Sequence, residues 1–225
     1  MHIPDGFIDI PTSAAFAAIA AGAIAVSIKG AKSSLDDKTA PLAGLTATFI
    51  FAVQMLNFPV AAGTSGHLLG AALATVLVGP YAATLAISIV LLLQSLLFAD
   101  GGLSALGLNI FNMSIIGVWV SFAIFHLFKR ILPKTKISLI AAAGIAALIS
   151  VPAAAAGFVV QYAIGATAPF SVTSVLAAMV GTHILIGIGE ALITIFAVGA
   201  ILASRSDLVY GYRSQRLSLE VRTAE

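Results

Sequence analysis

Cysteine is absent from all 225 residues, so no disulfide, thiolate metal site or thiol nucleophile is available. Charge is scarce: Asp, Glu, Lys and Arg make up 9% of the chain, where a soluble domain carries roughly 25%. A dense basic tract is missing, which removes the electrostatic footprint of a nucleic-acid binder. The Gly-x-x-x-x-Gly-Lys-Ser/Thr phosphate loop and the His-Glu-x-x-His zinc motif are missing too, so neither ordinary ATP hydrolysis nor zinc proteolysis is encoded here. No Lys or Arg precedes Lys29, whereas a secretory signal opens on a positive region; we expect the N-terminus to be the mature one. What remains is 60% hydrophobic. That composition belongs to a membrane protein, and one bundle over residues 1–225 is the natural domain reading.

Crossing a bilayer core takes about 20 apolar residues. Seven stretches qualify as candidates: 12–29, 41–57, 66–79, 80–98, 107–128, 137–160 and 178–203. The third is short and is broken from the fourth at Gly79-Pro80; tilt, bilayer thinning or burial inside the bundle each accommodate it. The last apolar region starts near Ser171, and Gly181 is expected to divide it into an interfacial piece and a spanning helix. The basic residues then sort themselves. Lys29, Lys32 and Lys38 lie between spans one and two. Lys129, Arg130, Lys134 and Lys136 lie between five and six, and Arg205, Arg213, Arg216 and Arg222 follow seven. With an odd number of spans all of them share one side, which the positive-inside rule makes cytoplasmic. The expectation is an all-α integral membrane protein of about seven transmembrane helices, multi-pass in the cytoplasmic (inner) membrane. Residues 1–11 lie outside and the tail 205–225 lies inside.

The first span is crowded with small residues, and Ala14-x-x-x-Ala18 and Ala17-x-x-x-Ala21 repeat on one face. Such faces let helices approach closely. Packing inside the bundle is the plainer reading, and docking of a second membrane protein is the other.

Two places carry metal chemistry. At Met1-His2, the α-amine, the His2 backbone nitrogen and the His2 imidazole can close adjacent chelate rings on one ion. That nitrogen-rich, near-planar set suits Ni(II), Co(II) or Cu(II) over Mg or Ca. Pro4 and Gly6 favour a turn that folds this tip back onto the bundle. His67, in Gly63-Thr64-Ser65-Gly66-His67-Leu68-Leu69-Gly70, falls on the same outer side and offers a fourth nitrogen. A chance dipeptide and a helix-capping histidine would read the same way, so the residues alone leave both options open. The Gly-x-Ser-Gly pattern at 63–66 also matches rhomboid-type intramembrane serine proteases, with Ser65 as nucleophile and His183 as base. His183 and Glu190 share a helical face. Glu190, an acid inside a span, must face the interior and find a partner, for a structural hydrogen bond or an ion path. Gln94, Asn109 and Asn112 read as polar contacts between helices. Asp100-Gly101-Gly102 reads as an outer turn, with attraction of cations by Asp100 as the alternative that a turn does not require.

Taken together, Met1-His2-Ile3-Pro4-Asp5-Gly6-Phe7 and the segment 57–70 centred on Gly63-Thr64-Ser65-Gly66-His67 resemble the two signatures of a known family. It comprises the cobalt/nickel substrate-binding components of energy-coupling factor transporters, the CbiM/NikM family. The resemblance covers nearly the whole chain and implies a transporter component that is not itself an enzyme. It carries the metal nitrogens onto Met1, His2 and His67, with Co(II) or Ni(II) bound as cargo and no prosthetic group. The implied partners are a transmembrane coupling protein, two cytoplasmic ATPases and a small accessory membrane protein, the whole supplying cobalt for cobalamin biosynthesis. Cobalt is favoured over the nickel-specific alternative because nickel members are frequently fused to extra segments. A passive channel is a third class, set apart by passing metal without ATP.

Overall fold

The structure, a computed structural model, describes residues 1–35, 39–60 and 64–213. Lys38, Gly63, Arg216 and Arg222 therefore lie outside the described residues. Helices form where the apolar runs predict them, and local chemistry sets their ends. Asp9 caps α1 (Ile10–Ser34) by accepting the Thr12 N–H at 2.8 Å, with Pro11 in the first turn, where its missing N–H costs nothing. Then come α2 (Thr39–Gln54) and a two-stranded antiparallel hairpin, β1 (Phe58–Val60) with β2 (Thr64–Gly66). Next are α3 (Ala71–Val78), α4 (Pro80–Leu97) and α5 (Leu106–Ile131). Thr135 and Ser171 cap the last two helices, α6 (Lys136–Gly165) and α7 (Val172–Ser204), by accepting the N–H three residues on. Five of these, α1 and α4 to α7, are long and apolar enough to cross a membrane, and α2 is a shorter apolar helix. The protein is an all-α, multi-pass membrane protein.

Three expectations need correcting or sharpening. First, the third apolar stretch is a helix of only 8 residues, every one buried. Its first third is instead spent on β2 and on an extended segment that carries His67. Gly70 (φ 77°) turns that segment into α3, and Gly79 (φ 83°) turns α3 into α4; both backbone angles favour glycine. Burial inside the bundle is therefore what accommodates the short element. Second, α7 is one unbroken helix of 33 residues, and Gly181 does not divide it. Packing along α6 overrides the weak local preference of a glycine. At 1.5 Å per residue α7 is about 50 Å long, more than a hydrocarbon core of about 30 Å, so it tilts or projects. Third, the small-residue face of α1 is divided: Ala14, Ala18 and Ala21 are exposed, Ala17 lies against Gly107 of α5, and Ala20, Ser27 and Ala31 are buried.

Helix α6 carries Pro152 in its interior, which has no N–H to give to the carbonyl of Leu148. Gly187 of α7 sits against that spot: a Cβ added there would lie 3.0 Å from the Leu148 oxygen. Helix α5 changes pitch in its first half, winding as a π-helix over Ile110–Ile116 just after Asn109. Such insertions concentrate at functional sites.

The helices run end to end, and this sorts the charges. The described basic residues gather where α1, α5 and α7 finish and α4 and α6 begin. There Lys129 donates to the Gly211 carbonyl (2.7 Å) and Lys136 to the Leu202 carbonyl (3.2 Å). Gly30 of α1 lies against Tyr81 of α4 at the same end. The opposite end holds the N-terminus, His67, and the turns around 100 and 168, without a Lys or Arg among the described residues.

Candidate metal-capture site

The first nine residues are a plug, not a free tail. Met1 and Ile3 are fully buried and His2 is buried. A turn at Asp5-Gly6 (Gly6 φ 72°) brings the chain back toward the bundle, as Pro4 and Gly6 suggest. Two loops seat it. On one side Ile3 pairs with the Asn109 amide as if with a strand: Ile3 N–H donates to Oδ1 at 2.7 Å, and Nδ2 donates to the Ile3 carbonyl at 3.1 Å. That carbonyl also accepts the Gly102 N–H (2.9 Å). The Asp5 carboxylate accepts from the Ser104 N–H (2.8 Å) and hydroxyl (2.6 Å), which holds its pKa below the usual carboxylate range. On the other side, Thr167 donates to the carbonyls of Gly6 and Phe7, and Asp9 N–H donates to the Gly165 carbonyl (2.8 Å). Phe7 packs on Phe158, Tyr162 and Phe170.

This seat brings the three predicted metal residues together. The Met1 amine donates to the Ser65 carbonyl of β2. The His2 and His67 rings stack with centroids 4.6 Å apart and planes at 26°. His67 gives its Nδ1–H to the Leu68 carbonyl (2.8 Å), so Nε2 is the lone-pair nitrogen, buried and without a protein partner. His2 Nε2 faces Gln94 Oε1 at 3.2 Å, and Nδ1 lies 3.0 Å from Asp100 Oδ1 with an angle short of a hydrogen bond. Two acceptor oxygens thus flank one imidazole. A neutral ring has a single N–H; given to Gln94, it leaves the Nδ1 lone pair against a carboxylate. A cation at Nδ1 resolves that repulsion. Histidines that bind metal commonly tie their other nitrogen to an oxygen in this way, which fixes the tautomer.

Burial also sets protonation. It lowers the Met1 amine from 8.0 to about 4, against the pull of Asp100, so the amine is neutral and its lone pair available at pH 7. It lowers His2 too, with the Asp100 carboxylate opposing. For Asp100, burial alone raises the pKa, but the contacts with His2 and Asn57 outweigh it and the net shift is downward. Among the described residues no group of three or more His, Asp or Glu side chains is placed to cage a metal. Position 2 is the right place for the imidazole: amine and amide close a five-membered ring, and amide and Nδ1 a six-membered one.

Sequence reasoning missed Gln94 and Asn109 as neighbours of the plug and ranked the cation-attracting reading of Asp100 below a plain turn. The available signal was an acid, a glutamine and an asparagine interrupting apolar chain around Gly101-Gly102. Asn112, by contrast, does bridge helices, donating to Gln161 Oε1 at 2.7 Å. Glu190 faces the interior as expected, and its partners are the N–H groups of Leu69 (2.5 Å) and Gly70 (2.9 Å). The protease pair is not assembled. His183 Nδ1 donates to the Met179 carbonyl at 2.6 Å, and among the described residues no hydrogen bond joins it to Ser65.

Comparison with known proteins identifies the family and the fold. One family's sequence model, described as "Cobalt uptake substrate-specific transmembrane region", matches residues 2–208. The chain is 32% identical to the cobalt transport protein CbiM of Sorangium cellulosum, over 97% of this chain and 98% of that one. It is 34% identical to the fused nickel transport protein NikMN of Rhodobacter capsulatus, over 93% of this chain and 64% of that one. A crystal structure of a transition metal transporter superposes with a TM-score of 0.85 at 30% identity, covering 96% of this chain and 99% of that one. A truncated transition metal transporter gives 0.84 at 30% identity, over 90% and 99%. These likenesses place the chain among transporters rather than enzymes and set the protease reading aside. The chain belongs to the CbiM family of cobalt-uptake transmembrane proteins.

Proposed function

We propose that this protein is the metal-capturing component of an ATP-driven, energy-coupling factor importer for Co(II) or Ni(II). The ion is held by the Met1 amine, the His2 backbone and imidazole nitrogens, and His67 Nε2. One observation carries the reading: the N-terminal plug puts a neutral amine and two neutral imidazoles in one buried pocket, each imidazole tied to an oxygen through the nitrogen not needed for metal. Capture displaces the His2 amide proton and leaves the remaining imidazole N–H on Gln94. Four nitrogens do not separate Co(II) from Ni(II) by softness, and the relatives' names include both metals. ATP hydrolysis falls to partner subunits, since the chain has no phosphate loop. We place a transmembrane coupling protein against the outward part of the small-residue face of α1, two ATPases at the basic end, taken as cytoplasmic, and an accessory membrane protein beside them.

The test is uptake of radiolabelled cobalt and nickel with partners co-expressed. One added residue ahead of Met1, His2→Ala and His67→Ala are each expected to lower uptake at least about tenfold, the scale on which metal sites respond to ligand-shell changes. Uptake that survives all three would refute the four-nitrogen site. Ser65→Ala, which keeps the carbonyl that meets Met1, is expected to leave uptake near normal.

A further inference from the structure

Glu190 is a fully interior acid on α7, 2% exposed, in the middle of a helix whose other buried residues include His183 and Thr194 but no second acid. Such a group is expensive in a membrane bundle and marks function more often than packing. Its two carboxylate oxygens are spent on backbone N–H groups, Leu69 at 2.5 Å and Gly70 at 2.9 Å. From the other side, Gln54 of α2 donates its Nε2–H to the Leu69 carbonyl at 2.8 Å. Residues 67–70 have no secondary structure of their own, so side chains from α2 and α7 substitute for ladder bonds. The first residue of this clamped segment is His67, whose Nε2 faces the pocket with no protein partner.

We propose that Glu190 is a positioning residue: by gripping the Leu69 and Gly70 amides it sets where His67 Nε2 stands, and so ties the geometry of the metal site to the placement of α7. This rests on His67 being a metal ligand, as argued above. A fold-only role does not explain the choice of residue. The start of α3 favours any acceptor there, and a neutral side chain would serve at lower desolvation cost. A carboxylate grips two successive amides at once, which fixes orientation as well as position. Because α7 runs on to the basic end, a shift of that helix reaches His67 through this grip.

The experiment is a double-mutant cycle on the purified full-length chain, titrated with Ni(II) alone and then Co(II) alone: wild type, Glu190→Gln, His67→Ala and the pair. Glutamine keeps the volume but turns an NH2 group toward one of the two amides. Affinity is expected to fall about 10- to 100-fold in Glu190→Gln, as for other residues that orient metal ligands, and not to fall further when His67 is already Ala. The ligand-field band of bound Ni(II) is expected to shift in Glu190→Gln, a change that mere loss of fold stability does not produce. Should Glu190→Gln fail to fold, Glu190→Asp, which retains both oxygens on a shorter arm, takes its place in the same cycle. Unchanged affinity, or equal losses with and without His67, would overturn the proposal while sparing the site. If His67→Ala alone leaves affinity intact, the four-nitrogen reading falls and Glu190's role falls with it.

Discussion

At the scale of single residues, the amine of Met1 shows how burial does chemistry. An exposed α-amine is mostly protonated at pH 7 and useless to a cation. Seated, it is neutral down to about pH 4. The linkage has a definite sign. Between pH 8 and about 4 the unseated N-terminus holds a proton that the seated one lacks, so acid favours unseating. His2, also lowered, adds to the effect in the same direction. The melting temperature of the metal-free protein is therefore expected to climb from pH 5 to pH 8, and acetylating the N-terminus, which removes this titration, should flatten the climb. A melting temperature independent of pH in the unmodified protein would contradict the burial argument.

Elements decide what those residues can reach. The turn at Asp100–Ser104 works because it has glycines where the plug passes. A Cβ on Gly102 would stand 2.3 Å from the Asp5 backbone nitrogen, and one on Gly101 (φ 89°) would stand 3.2 Å from His2 Cδ2. Gly102→Ala must displace the plug, at an expected cost of about 1–3 kcal/mol for overpacking. Both the thermal midpoint and Ni(II) affinity should drop, whereas Gly22→Ala on α1, where a Cβ meets nothing within 4 Å, should change neither. Equal behaviour of the two variants would show that the plug is not tightly held. This scale also marks where the sequence stops being readable. Apolar runs and the Gly79-Pro80 break suffice for helix positions, and the Met1-His2 and His67 pattern suffices for the ligand candidates. The π-wound start of α5, the uninterrupted course of α7 past Gly181 and the outward turn of Ala14 and Ala18 depend on packing between helices, which one-dimensional periodicity does not encode. Asp100, Gln94 and Glu190 were each visible as polar residues in apolar chain. Their partners lie 92 to 121 residues away in the cases of Gln94 and Glu190, and no spacing rule links them.

Over the whole molecule, one end is basic and the other carries the plug. Orientation in the bilayer follows if the positive-inside rule holds. The absence of cysteine makes the check clean, because any label reports only the introduced thiol. Pro169→Cys, in the exposed turn between α6 and α7, should react with a membrane-impermeant maleimide on intact cells. Lys134→Cys, exposed at the opposite end, should react only after permeabilisation. The reverse pattern would invert the assignment and put the metal pocket on the cytoplasmic side.

The plug has a further consequence, for the order of assembly. Met1 meets Ser65, His2 meets Gln94, Ile3 meets Asn109 and Gly6 meets Thr167, so its contacts span 64 to 161 residues of chain. Contacts this distant close large loops and form late. The seat is complete only once the turn after α6 exists, and it joins loop residues to Gln94 of α4, Asn109 of α5 and Phe158 and Tyr162 of α6. The plug itself belongs to no helix, so it can let go and re-form while the bundle stays intact, a reversible local opening of the kind that leaves the rest of a fold protected. A metal ion that needs both the plug and the bundle to be bound is released by the loss of either, and losing the plug is the smaller rearrangement.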